Sequence, residues 1–108
     1  MNLALASDLI ELKVIDAAPI NNSGGQSNDA IGVYLDHQSS QKFEEWTGRY
    51  VGKVINVLLD GHITLQPTLF TAITGGALVI VRIPADKLAE TASKLKEGKM
   101  MLTVEVKD

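Results

Sequence analysis

The hydrophobic positions change period along the chain. Residues 9–15 alternate Ile10, Leu12 and Val14 against Glu11, Lys13 and Ile15, and this predicts a half-buried strand that Pro19 closes. Residues 21–29 (Asn-Asn-Ser-Gly-Gly-Gln-Ser-Asn-Asp) are polar and aperiodic, as in a mobile surface loop. A second strand is predicted over residues 30–35. Asp36 then suits the N-cap of a helix running to about residue 51, with Phe43, Trp46, Tyr50 and Val51 on one face. Gly52 offers the left-handed position that ends helices.

Two apolar segments follow, residues 54–59 and 62–65, joined by Asp60-Gly61. That dipeptide is favoured in two-residue hairpin turns whose central residues both need positive φ. Pro67 interrupts the second arm, so the segment through Phe70 is expected to be an edge, a bulge or a bend. Residues 77–83 are almost continuously apolar, as in a strand covered on both faces. Pro84 fits the first turn of a second helix with Leu88, Ala92 and Leu95 facing inward and Gly98 ending it; residues 101–106 form the closing strand. The order strand, strand, helix, hairpin, strand, helix, strand predicts an α+β fold. Its architecture is a two-layer, ferredoxin-like sandwich in which two helices cover one face of a mainly antiparallel sheet.

The chain has 108 residues, the size of one domain, and is 45% hydrophobic, enough for a single core. The net charge of −3 and the scattering of ten Lys and Arg residues argue against nucleic acid as a partner. No apolar stretch is long enough for a membrane-spanning helix. Cysteine is absent, which removes disulfides, thiolate metal sites and cysteine nucleophiles. Ala4-Leu5-Ala6 has the A-x-A form of a signal-peptidase site, but neither a charged region nor a full apolar region precedes it. It reads either as the remnant of a trimmed export signal or as a frayed start.

Material for catalysis is poor. His37 falls at a helix start, where the helix dipole disfavours its cation, and His62 follows the hairpin turn. Glu44 and Glu45 are neighbours on one helix and diverge by about 100°. Asp60 is explained by turn chemistry, and Gly75-Gly76 by a tight backbone turn, since neither Gly75-Gly76 nor Gly24-Gly25 lies in a phosphate-binding motif. No cofactor or metal is implied. The segment Pro67, Thr68, Leu69, Phe70 through Ile73 has more to offer. An apolar run beside a proline either presents Leu69 and Phe70 at the surface or packs under a loop.

Several motifs carry a family resemblance. Phe43-Glu44-Glu45-Trp46-Thr47, Val51-Gly52-Lys53, Leu59-Asp60-Gly61, Pro67 and Ile73-Thr74-Gly75-Gly76, in that order, resemble the head of the first periplasmic domain of SecD. The helix over residues 85–97, Gly98 and the ending Val104-Glu105-Val106 are similar to the family's close, so the resemblance covers residues 30–108 and leaves residues 1–29 as an appended strand and loop of the same domain. Ala72, where the family usually has proline, and the bulky Trp46 depart from the pattern.

The resemblance implies a periplasmic or otherwise exported, noncatalytic module that contacts unfolded or extended polypeptide during protein export. Strand addition at the edge formed by Pro67, Thr68, Leu69, Phe70 and Ile73 is the expected mode. The alternative is a structural domain that self-associates or docks on another cell-envelope protein.

Overall fold

The computed structural model describes residues 9–20 and 30–107. The polar stretch 21–29 and Ala4-Leu5-Ala6 lie outside the described residues. The chain order is β1 (Leu9–Leu12), β2 (Val14–Pro19), β3 (Ile31–Leu35), α1 (His37–Arg49), β4 (Ile55–Leu59), β5 (His62–Leu65), β6 (Ala77–Ile80), a 3₁₀ turn (Ala85–Lys87), α2 (Leu88–Lys96) and β7 (Leu102–Val106). The fold is α+β with antiparallel pairing, and its strands divide into two sheets. One has the order β1-β7-β4-β5, the other β2-β3-β6.

The first predicted strand is in fact two, because Lys13 belongs to neither sheet. Its N–H donates to Ser39 Oγ at 2.8 Å, and its carbonyl accepts from Asp36 N–H at 3.0 Å. The start of α1 thus takes up both main-chain groups of Lys13, and the chain passes from β7 as partner to β3. Pro19 closes this tract as expected, ending β2 opposite Ile31 on an edge where its missing N–H is harmless.

Helix α1 begins as the sequence requires. The Asp36 carboxylate accepts from Ser39 N–H at 2.7 Å. That bond, the Ser39 hydroxyl and the nearby Lys13 and Lys42 hold the Asp36 carboxyl below its ordinary range against a smaller opposing effect of desolvation. Phe43 and Trp46 are buried, Tyr50 is half-buried beside Trp46 with ring centroids 5.1 Å apart, and Val51, expected on the same face, is exposed in the turn after the helix. In α2 the stripe Leu88, Ala92 and Leu95 is buried against the body of the fold, where α2 packs on β2. Gly98, at φ 76°, closes it with two tail hydrogen bonds, Gly98 N–H to Leu95 O and Lys99 N–H to Lys94 O.

Strand β4, flanked by β7 and β5, is buried along its whole length. Asp60 (φ 51°) and Gly61 (φ 83°) make the predicted turn. Asp60 also binds the entry of β7: its N–H donates to Met101 O and its carboxylate accepts from Met101 N–H, both at 2.8 Å. Strand β6 corrects the expectation of a strand covered on both faces. Among the described residues it pairs only with β3; it ends at Ile80 and leaves Ala77 and Val79 exposed while Ile80 is buried. An uninterrupted apolar run carries no record of which face lacks a neighbour.

Candidate functional site

Residues 67–69 extend the line of β5 along the start of β4. Ile55 N–H donates to Pro67 O and Leu69 N–H to Lys53 O, both at 2.9 Å, with an isolated bridge between Val54 and Thr68. This is the edge tract that Pro67 predicts. Its side chains divide. Leu69 is buried, 3% exposed, so of the two alternatives the sequence left open for it, packing holds. Phe70, past the last of these bonds, is 86% exposed.

Beyond Phe70 the chain returns to α1. Thr47, wholly buried, donates its hydroxyl to Phe43 O at 2.8 Å and accepts from Ile73 N–H at 2.8 Å. Gly75 and Gly76 then turn with φ 86° and 69°, and Gly76 O accepts from Leu35 N–H at 2.8 Å. A Cβ on Gly76 would lie 2.5 Å from Ser40 Oγ, whereas one on Gly75 would meet nothing. Close approach to α1 thus fixes glycine at 76, and turn conformation alone favours it at 75.

These constraints bring the outer edge of β6 opposite the outer edge of β5. Between them lies an apolar groove of about 360 Å³, with Phe43, Ile55, Val57 and Ile73 as floor, Leu65 and Pro67 on one bank, and Ala77, Leu78 and Val79 on the other. It continues past Gln66 and Val81 to Arg82. Gln66 is held from beneath, its amide donating to Asn56 Oδ1 at 2.9 Å while the Asn56 amide donates to Glu105 Oε2 at 2.8 Å.

The bank formed by β6 is an edge with no partner among the described residues. Leu35 N–H bonds to Gly76 O, and the register Val33 to Leu78 and Ile31 to Ile80 continues from it, so Leu78 and Ile80 direct their main-chain groups to β3. The N–H and C=O of Ala77 and Val79 therefore point outward. Such an edge accepts an extended chain as an added strand, and apolar lining beside it accepts that chain's side chains.

Of the residues the sequence marked, the groove gathers Pro67 and Ile73. Thr68, bridged to Val54, is exposed and outside the lining, Leu69 is core, and Phe70 stands apart from the lining. Asp60, Gly61, Gly75 and Gly76 serve as turns. Sequence reasoning missed β6 as a bank and Arg82 as a border. The signal available for both was the change from valine at 79 and 81 to arginine at 82, ahead of Pro84.

His37 and His62 are both exposed and lie on different elements, as are Glu44 and Glu45 on the outer side of α1. Among the described residues no three His, Asp or Glu side chains gather as a metal site, and no helix is long and apolar enough to cross a membrane. A separate cleft of about 400 Å³ beside β1 has Leu95 and Met100 in it but charged Glu11, Lys13, Asp60 and Lys99 around it.

Comparison with known proteins places the fold. Residues 7–102 match the family described as SecDF, P1 head subdomain, so the match begins well before Ala30 and includes β1 and β2. The protein translocase subunit SecDF of Thermus thermophilus is 32% identical over 114 residues, covering 94% of this chain and 15% of the relative. The translocase subunit SecD of Treponema pallidum is 24% identical over 87 residues, 80% of this chain and again 15% of the relative. The chain thus spans about a seventh of the length of these relatives.

Two solved SecDF structures superpose on it. One, of SecDF as a membrane component that enhances protein export, has a TM-score of 0.67 at 28% identity over 78% of this chain and 38% of that one. The other, SecDF in a super-membrane-facing form, has a TM-score of 0.70 at 26% identity over 89% of this chain and 13% of that one. The motifs that carry the resemblance in the sequence have structural roles here: Thr47 ties α1 to Ile73, Asp60-Gly61 turns β4 into β5, and Gly75-Gly76 returns the chain to β3. The chain belongs to the SecDF P1 head subdomain family.

Proposed function

We propose that this head subdomain binds extended polypeptide in protein export, on the exported side of a bacterial membrane, and does so without catalysis. The observation that carries the reading is the apolar groove whose β6 bank directs the main-chain groups of Ala77 and Val79 away from β3, with no partner among the described residues. An unfolded client pairs its N–H and C=O groups with that edge and lays alternate side chains over Phe43, Ile55, Val57 and Ile73. Main-chain pairing is indifferent to sequence, as a module that meets many exported chains requires. Relatives described as protein translocase subunits, and as a component that enhances protein export, support the placement.

The test is an amide NMR titration with a reduced, permanently unfolded polypeptide. Shifts localised to residues 65–67 and 77–82 are expected; shifts confined to 68–71 would move the site to the Phe70 side, and a silent spectrum at millimolar ligand would end the reading. One observation favours a second reading, docking onto a cell-envelope protein or onto a second copy. Phe70, 86% exposed, lies outside the groove lining. A concentration-dependent mass in sedimentation that Phe70→Ser abolishes would support it.

A further inference from the structure

Arg82 borders the groove in a conformation that non-glycine residues seldom adopt. Its φ is 66°, in the left-handed region where a Cβ is unfavourable. The turn has a plain structural role, because it takes the chain out of β6 and lets buried Ile83 follow buried Ile80 into the core. Glycine performs such a reversal without steric cost, so the turn does not account for an arginine. What the side chain adds is a charge.

That charge is exposed and stands beside Gln66, Pro67, Val79 and Val81, with no carboxylate among the residues lining this part of the groove. Among the described residues the ion pairs join Arg49 to Glu45, Lys94 to Glu90, Lys96 to Asp16 and Lys99 to Glu97, and Arg82 is in none of them. A cation without an ion-pair partner among the described residues therefore closes one end of an otherwise apolar groove.

We propose that Arg82 selects the class of segment the groove takes: an extended stretch with apolar side chains at alternate positions, flanked at the Ile80 end of β6 by an aspartate or glutamate. The inference rests on the groove being a polypeptide site. Cross-strand neighbours share a face of a sheet, so client residues opposite Leu78 and Ile80 point inward over the apolar floor. They lie two residues apart, and the next position in the same phase passes Arg82. A carboxylate there meets a guanidinium suited to it.

Capped nonapeptides of alternating valine and serine, with Glu, Lys or Gln at the first or the last position, test this by titration against the labelled domain. Capping removes the terminal charges. At low salt one of the two Glu peptides is expected to bind about fivefold more tightly than its Lys counterpart, with the ratio shrinking at high salt. Arg82→Gly, which suits the left-handed turn, should erase the ratio between the Glu and Lys peptides, and Arg82→Glu should invert it. Equal affinities for the Glu, Lys and Gln peptides at measurable binding overturn the role of Arg82 and leave the groove reading standing. If none of the peptides binds at millimolar concentration, the groove reading itself falls, and the role of Arg82 with it.

Discussion

The Thr47 hydroxyl joins α1 to the loop that precedes β6, donating to Phe43 O and accepting from Ile73 N–H, each at 2.8 Å. Thr47 is wholly buried, so neither bond has water as a ready substitute. Thr47→Val keeps the shape and leaves the Ile73 amide without its acceptor. The expected loss is about 1–3 kcal/mol, read as a lower denaturation midpoint at unchanged m-value, with faster hydrogen exchange at Ile73. Thr47→Ser should recover most of it. Equal stability of the Val and Ser variants would mean that the hydroxyl does not hold the loop.

Gly75 and Gly76 separate two causes of glycine preference. Both are left-handed, but only at Gly76 would a Cβ strike another residue, Ser40. Gly75→Ala is expected to cost about 1–2 kcal/mol from conformation alone. Gly76→Ala should cost clearly more and should shift the amide signals of Ser40 and Leu35. Equal costs in chemical denaturation would show that the approach to Ser40 relaxes freely.

The Asp36 cap predicts a pH dependence. Its carboxyl is held below its ordinary range, first by the Ser39 N–H. A carboxylate with a depressed folded pKa contributes stability that is complete above its unfolded value, about 4, and is lost as pH falls through the folded one. Glu90 and Glu97, lowered chiefly by hydrogen bonds from Lys94 and Lys99, act with the same sign. Asp36→Asn keeps a good N-cap acceptor that does not titrate. Its stability should therefore fall less steeply than that of the parent between about pH 5 and pH 2, with the glutamates common to both proteins. Parallel curves would remove Asp36 as a source of the acid sensitivity.

Much of this fold is legible in the sequence where the determinant is local. Asp36, Gly98 and Asp60-Gly61 act within a few residues, and the structure places them as cap, helix end and turn. The stripe Leu88, Ala92 and Leu95 is read from period alone. The break at Lys13 is not legible, because the alternation of Ile10, Leu12 and Val14 runs through it without a change of phase; only the groups at Asp36 and Ser39, more than twenty residues on, divide the strand. The groove was half legible for the same reason. Pro67 announces an edge by its own chemistry, whereas the opposite bank depends on which strand β6 fails to meet.

That missing partner gives the most direct test of the proposed mechanism. The register directs the Val79 N–H and C=O away from β3, so Val79→Pro removes a donor from the free edge and none from the ladder. Proline on an edge strand is tolerated, and the folded amide spectrum should persist with changes confined to residues near 79. If a client adds as a strand, its affinity for this variant should drop about fivefold, as one main-chain hydrogen bond of about 1 kcal/mol is lost. Val79→Thr preserves the backbone donor and the branched shape and should bind within about twofold of the parent. A folded Val79→Pro domain that binds unfolded polypeptide as well as the parent would rule out strand addition at β6. The contact would then rest on the apolar floor alone, and Ile73→Ser would become the substitution that abolishes it.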